Sequence, residues 1–282
     1  MKQKQIIFID ACNTTVRVEF PPAAEELLPG VRWGNACGFS TPAYWKYHVL
    51  ERRLTANRIE HRLGRNLAEE IGACLLGGHG IPASVGLAAY YYLRDHGIFE
   101  TAPSESQIKS LLEAGIPHDG KIIRYRFTNQ KSKYLAGSLS KYHDEYSSDL
   151  TGRKLRDWLS TMPGIGLKTA SWITRNFEDS DDVAILDIHL LRAGIIGKFF
   201  SPNLDVTKNY LDLENRFLEF SASLSVKPSE LDSVIWFGMM SSPSSVDRAL
   251  SRVDMKSGEA IKLTRPRAHP RKTNSRQLAM AV

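Results

Sequence analysis

The chain has 282 residues, of which 42% are hydrophobic, and a formal net charge of +6. This length and composition exclude a disordered chain and predict a globular protein with one large or two modest domains. Only four consecutive apolar residues (6–9) occur near the N-terminus, and no run approaches membrane-spanning length. We therefore expect no signal peptide, no membrane association and a cytoplasmic location, associated with the nucleoid if the source is bacterial.

The first 60 residues are predicted to form a small layer that contains antiparallel β-structure. Alternating apolar residues predict two strands up to Phe20, and the pair Pro21-Pro22 ends the second strand because proline cannot donate to a strand ladder. The stretch 28–44 is rich in Gly, Pro and Trp and predicts an ordered loop. A helix is expected to begin near Tyr44.

From about Leu63 onward, apolar residues recur at helical spacing and predict a mainly α chain. The glycine-rich sequence GGHGIP (77–82) interrupts these helices, and a helix is expected to resume over 83–95. Ser104 and Gln107 have the spacing of a capping box that opens the next helix. Further helices are predicted over 131–146, 155–162, 167–177, 203–220 and 229–240.

The sequence LSTMPGIGLKTASWITRNF (159–177) joins two of these helices by a tight turn. Pro163 ends the first helix, while Gly164 and Gly166 permit backbone angles and close approaches that other residues prevent. Such a turn exposes N–H groups at a helix N-terminus, which binds an anion such as a phosphate. The same residues are also typical of an ordinary helix–helix turn.

Two charged residues add a chemical hypothesis to this turn. Lys168 falls in the first turn of the second helix, where the helix field and partial burial are expected to lower the pKa of its amine and leave it nucleophilic. The alternative is an exposed lysine that only contacts phosphate. Asp187 follows the apolar run 183–186 and is predicted to be the N-cap of another helix. If its carboxylate faces Lys168, the amine can attack C1′ of a nucleotide while the carboxylate stabilises positive charge developing on the sugar.

The segments MPGIGLKTA (162–170) and AILDIHLLRAG (184–194) resemble the helix-hairpin-helix (HhH-GPD) DNA glycosylase superfamily. The absence of any cysteine beyond Cys74 disfavours the iron–sulfur branch, and we favour the branch of the 8-oxoguanine DNA glycosylases. The resemblance implies a two-lobed helical fold and a DNA glycosylase of base-excision repair with AP lyase activity, which flips its target base out of the duplex. It also implies that Lys168 is the Schiff-base nucleophile, that Asp187 is the essential carboxylate, and that Gly164, Gly166 and His189 contact DNA phosphate.

The sequence indicates the enzyme class more specifically than it indicates which base is excised. The family default is 8-oxoguanine opposite cytosine; a bulky modified base, such as a hypermodified pyrimidine of foreign (phage) DNA, would make the protein a defence enzyme. A non-catalytic hairpin module that only binds DNA is a further alternative. Trp236 and Phe237 could stack on the flipped base, or they could belong to the core. His79 could fill the gap that the base leaves in the duplex, or it could be an ordinary surface-loop residue. Arg124, Arg126, Lys131 and Lys133 are candidates to follow phosphates or to form a solvated face.

The predicted domains are a β-containing layer (1–60), a glycosylase core (61–250) and a basic tail (251–282). The tail from residue 256 carries seven Lys or Arg against one Glu, which accounts for the whole net charge and suits either a polyanionic partner or a solubilising terminus. The three cysteines are too far apart to form a metal cluster on their own. We therefore expect no cofactor and no metal, leaving open a monovalent or divalent cation at the hairpin turn. The expected partner is double-stranded DNA, bound by a monomer.

Overall fold

The computed structural model describes residues 3–11, 14–55, 62–78 and 80–253. Within this part of the chain there are eleven helices and three two-stranded antiparallel sheets. The strands are β1 (Gln5–Ala11), β2 (Thr14–Phe20), β3 (Glu26–Leu28), β4 (Val31–Arg32), β5 (Ile116–His118) and β6 (Lys121–Ile123). The helices are α1 (Pro42–Thr55), α2 (Leu67–Leu76), α3 (Ala83–Asp95), α4 (Glu105–Ala114), α5 (Thr128–Glu145), α6 (Gly152–Leu159), α7 (Leu167–Glu178), α8 (Ile188–Gly197), α9 (Tyr210–Leu224), α10 (Pro228–Ser241) and α11 (Pro243–Leu250). The mainly α fold with a small N-terminal antiparallel pair is confirmed.

The described residues pack into two compact units. The terminal unit contains those within Met1–Arg58 and Ala184–Pro270, and the central unit contains those within Ile59–Val183. The domain boundaries predicted at residues 60 and 250 stay predictions, and the basic tail beyond Val253 lies outside the described residues. No helix in the described ranges is long and apolar enough to span a bilayer.

The terminal unit begins with the predicted strand pair. β1 and β2 run antiparallel with Gln5 opposite Phe20, and the alternation buries one face, including Ile9 and Phe20. The loop predicted over 28–44 is partly wrong, because its start belongs to the β3–β4 hairpin, which turns at Gly30 with a φ of 77°. Strands of two or three residues are too short to establish a period of two.

Helices α1, α8, α9, α10 and α11 complete the terminal unit, and α10 packs against α1, α8 and α9. The helix predicted from residue 203 begins only at Tyr210. Asp205 explains the difference, since its carboxylate accepts hydrogen bonds from the backbone N–H groups of Thr207 (2.8 Å) and Lys208 (3.1 Å). Such local bonding offers the backbone an alternative to a helix.

The central unit is built around α2, every residue of which is buried. Asn66 caps its N-terminus by accepting a hydrogen bond from the Glu69 N–H, and α3, α5 and α7 pack around it. Helix α3 has the predicted bounds, and both hydrogen bonds of the Ser104–Gln107 capping box are present at α4. The short β5–β6 hairpin was not predicted from the sequence.

Candidate active site

The predicted hairpin is formed by α6 and α7, which pack against each other within the central unit. Helix α6 ends at Leu159, and α7 begins at Leu167, where the sequence placed it. In the intervening turn the apolar side chains of Met162 and Ile165 are buried, whereas Pro163 is exposed. The apolar residues therefore anchor the turn, and its backbone on the other side faces solvent.

The two turn glycines differ in what their surroundings require. Gly164 has a φ of +79°, and a Cβ atom on it would lie 2.3 Å from the Tyr134 ring, so both conformation and packing require glycine there. Gly166 has a φ of −89°, which any residue adopts, and a Cβ atom there would meet nothing within 4 Å. Neither conformation nor packing explains Gly166. A bare backbone facing open space leaves room for a group from outside the protein.

Lys168 lies in the first turn of α7, two residues after Gly166. Gly166 is the N-cap of this helix and supplies no side-chain hydrogen bond to it, and the first turn contains no acidic residue. The N-terminus of α7 therefore combines backbone N–H groups with a lysine, an arrangement suited to an anion. Lys168 is exposed, so the partial burial expected from the sequence is wrong.

Asp187 is the N-cap of α8 in the terminal unit, as predicted. Its backbone is extended, and its Oδ1 atom accepts hydrogen bonds from the N–H groups of His189 (2.8 Å) and Leu190 (3.1 Å). The residue is half-buried and follows the buried Leu186. The cap fixes the carboxylate at the start of the helix, where the helix dipole favours negative charge.

The other candidate residues on α8 and α10 belong to the same unit as Asp187. The rings of His189 and Trp236 lie edge to face with centroids 6.2 Å apart, and Trp236 is half-buried. Phe237 is 46% exposed, which excludes the core position that the sequence left open for it. His79 lies outside the described residues, between Gly78 and Gly80, which both have positive φ.

One basic residue that the sequence left as a candidate for DNA contact turns inward instead. Lys131 donates hydrogen bonds to the carbonyl oxygens of Leu75 (2.5 Å) and Gly77 (3.0 Å), at the end of α2. The Tyr125 hydroxyl donates to the carbonyl between them, that of Leu76, at 2.6 Å. These side chains satisfy the last carbonyls of α2 directly before the GGHGIP segment. Charge alone could not show which of the neighbouring basic residues had this role.

No group of three or more His, Cys, Asp or Glu side chains in the described ranges could hold a metal ion. Cys37 is exposed and Cys74 is buried, and neither forms a disulfide. Burial raises the pKa of the Cys74 thiol well above its usual range, which disfavours the reactive thiolate.

A family model described as 8-oxoguanine DNA glycosylase (Ogg-HhH) matches residues 51–226, which is more than half of the chain. The matched range includes the hairpin, Lys168 and the start of α8 with Asp187. The chain belongs to this family. The superfamily and the branch predicted from the sequence are both confirmed, and the predicted enzyme class, a DNA glycosylase with AP lyase activity, is confirmed at the level of the family.

Individual relatives agree with this assignment. A Saccharolobus islandicus (strain Y.N.15.51 / Yellowstone #2) protein named 8-oxoguanine DNA glycosylase/AP lyase is 29% identical over 178 residues, covering 60% of this chain and 79% of the relative. The protein of that name from Methanocaldococcus jannaschii is 32% identical over 122 residues, or 42% of this chain and 58% of the relative. The solved structure of a trapped endonuclease III–DNA covalent intermediate has a TM-score of 0.50 at 16% identity, covering 69% of this chain and 83% of that one, which shows a shared fold.

Proposed function

We propose that the protein excises 8-oxoguanine from double-stranded DNA and then cleaves the strand at the abasic site, with Lys168 as nucleophile and Asp187 as the essential carboxylate. The observation that carries this proposal is the exposed Lys168 beside Gly166, whose position opens onto empty space. The turn combines a helix N-terminus without a side-chain cap, a glycine that neither conformation nor packing requires, and a lysine, and this combination suits a phosphate and the sugar attached to it.

DNA binding is assigned first to the hairpin. The N–H groups at the start of α7 and the backbone at Gly164 and Gly166 hold a phosphate of one strand, which positions the duplex without selecting sequence. His189 holds a second phosphate beside the target nucleotide. The exposed Phe237 and its half-buried neighbour Trp236 are assigned to the flipped base, and His79 to the gap that it leaves.

The chemistry then needs one amine and one carboxylate. The neutral amine of Lys168 attacks C1′, an N–C bond forms, and the glycosidic bond breaks with its electron pair leaving on the base, which takes up a proton. Asp187 stabilises the positive charge that develops on the sugar. The attached nitrogen then loses a proton while the C1′–O4′ bond breaks and O4′ takes up a proton, which opens the sugar ring and leaves an imine between Lys168 and C1′. Loss of a C2′ proton from this imine permits cleavage of the C3′–O bond, whose electron pair leaves on the phosphate oxygen, and the strand breaks.

A panel of duplexes tests this function and its substrate together. Base release and strand cleavage are measured on duplexes with 8-oxoguanine opposite each normal base and on duplexes with hypermodified pyrimidines. We expect release of 8-oxoguanine opposite cytosine by the native chain and by Lys154→Gln, a control at an exposed lysine of α6. Lys168→Gln and Asp187→Asn should bind the same duplex but release no base.

Other outcomes would replace the proposal. Release of only a hypermodified pyrimidine would favour the defence enzyme, and tight binding with no base released from any duplex would favour the non-catalytic module. Native mass and sedimentation of the complex would test the monomer, and titration of K⁺ and Mg²⁺ into the binding assay would test a cation at the hairpin turn.

A further inference from the structure

The segment that leads to Asp187 is held in an unusual way. Residues 184–186 belong to neither a strand nor a helix, so their backbone groups need partners from elsewhere in the fold. Side chains of α9 and α10 supply these partners to three successive N–H groups. The Ala184 N–H donates to Glu214 Oε1 (3.1 Å), the Ile185 N–H to Asp232 Oδ2 (3.4 Å), and the Leu186 N–H to the Tyr210 hydroxyl (3.3 Å).

The spacing of these partners fits an extended chain. Tyr210 and Glu214 lie four residues apart on α9, which places them on one face about 6 Å apart along the helix. Two alternate residues of an extended chain are separated by about 6.6 Å and direct their amides to the same side. The amide between them points the other way and meets Asp232 of α10. The segment is therefore held from two sides within the terminal unit.

Tyr210 contributes twice to this arrangement. Its hydroxyl accepts the bond from Leu186 and donates one to the Ala184 carbonyl at 2.8 Å. One oxygen atom thus links two residues of the segment and fixes the angle at which the chain reaches Asp187. Tyr210 is 4% exposed, so both hydrogen bonds are shielded from solvent.

Burial of the two carboxyl groups costs free energy that apolar side chains at the same positions would not cost. Glu214 is 1% exposed and Asp232 is 3% exposed, and taking a carboxylate out of water is unfavourable unless hydrogen bonds to it compensate. The N–H groups of Ala184 and Ile185 therefore satisfy carboxyl oxygens that the fold has taken out of water, directly before Asp187.

We propose that Tyr210, Glu214 and Asp232 are positioning residues for Asp187, acting through the backbone of residues 184–186. This inference rests on the proposed function, because it concerns the placement of the proposed carboxylate. Its consequence is kinetic. A variant that loosens the segment slows base release while DNA binding is kept, since a displacement of about 1 Å can cost on the order of 100-fold in rate.

The test compares two buried tyrosine hydroxyls. Tyr210→Phe removes both bonds to the segment and keeps the ring. Tyr90→Phe is the matched control, since the hydroxyl of Tyr90 also has two partners, Glu69 Oε2 (2.9 Å) and the Leu63 carbonyl (3.2 Å), in the central unit. Single-turnover rate constants and half-saturating enzyme concentrations are measured on the duplex that the native chain cleaves. We expect Tyr210→Phe to be about tenfold slower with half-saturation within about twofold of native, and Tyr90→Phe to keep the native rate within about twofold.

A second pair of variants covers the case in which Tyr210→Phe does not fold. Glu214→Gln keeps an oxygen acceptor for Ala184 and is expected to keep most of the rate, whereas Glu214→Leu leaves that N–H without this acceptor and should slow base release. Equal slowing by Tyr210→Phe and Tyr90→Phe, or a loss confined to DNA affinity, overturns the positioning role. Failure of the proposed function itself looks different, because the native chain would then release no base from any duplex.

Discussion

At the scale of single residues, we propose that the two glycines of the hairpin turn are needed for different reasons, one for folding and the other for contact with DNA. Gly164 is needed by the protein's own turn, because its φ is positive and the Tyr134 ring occupies the space beside it. Gly166 has neither constraint, and its position opens outward. If a phosphate approaches the turn, only the first glycine is needed for folding, while both are needed for DNA binding.

Two alanine variants test this distinction. Gly164→Ala is expected to destabilise the protein by about 1–3 kcal/mol, from left-handed strain and displacement of the tyrosine ring. Gly166→Ala should change stability by less than about 1 kcal/mol, because alanine is only a weaker N-cap than glycine. Both should weaken binding to a duplex. The measurements are urea unfolding and fluorescence anisotropy with labelled DNA. Native affinity in a folded Gly166→Ala variant would contradict phosphate contact at this turn.

At the scale of secondary-structure elements, α1 and α10 form a close contact within the terminal unit that the sequence did not indicate. A Cβ atom on Gly238 would lie 2.9 Å from the buried ring of Trp45. The Trp45 ring of α1 therefore packs directly against the backbone of α10, where a larger residue than glycine would clash. Arg53 of α1 also forms a bidentate pair with Glu230 of α10, with distances of 2.7 and 2.6 Å.

This ion pair predicts a pH dependence of stability. Burial opposes ionisation of Glu230, but the hydrogen bonds and charge of Arg53 outweigh it and lower the pKa of the carboxyl group. A lowered pKa in the folded state stabilises the protein above the unfolded pKa, and this contribution is lost as pH falls through the folded value. Because both side chains are partly exposed, the contribution is at most about 1 kcal/mol.

Arg53→Met is therefore expected to lower the unfolding midpoint at pH 7, and the difference from the native chain should shrink below about pH 4. Thermal unfolding over pH 3–8 checks this expectation. Arg216→Met serves as the control, because Arg216 pairs only one turn away with Asp212 on the exposed face of α9 and should cost less than about 0.5 kcal/mol. A difference for Arg53→Met that does not vary with pH would contradict the role given to Glu230.

At the scale of the whole molecule, local patterns predicted the long helices and the hairpin, while contacts between distant segments could not be predicted. Helix α3 and the capping box of α4 follow from periodicity and from one pair of residues at fixed spacing. The hairpins β3–β4 and β5–β6 were missed because they are too short to show a period. The helix predicted from residue 203 started too early because Asp205 binds its own neighbours instead.

The same limit applies to the candidate site. Lys168 and Asp187 each follow a local feature, a glycine turn and an apolar run, so sequence alone singled them out. Tyr210, Glu214 and Asp232 are separated from residues 184–186 by 24 to 47 positions, and their role depends on how α9 and α10 pack. Lys168 belongs to the central unit and Asp187 to the terminal unit. Their assignment to one reaction is therefore a chemical proposal, and it requires a chemical test.

The most direct test is to identify the atom that becomes covalently attached to DNA. The native chain is incubated with a duplex containing 8-oxoguanine opposite cytosine, borohydride is added to reduce any imine, and the cross-linked peptide is sequenced by mass spectrometry. We predict a single adduct on the peptide that contains Lys168, through its Nζ atom, and no adduct in Lys168→Gln. An adduct on another lysine, or one that persists in Lys168→Gln, would contradict the account.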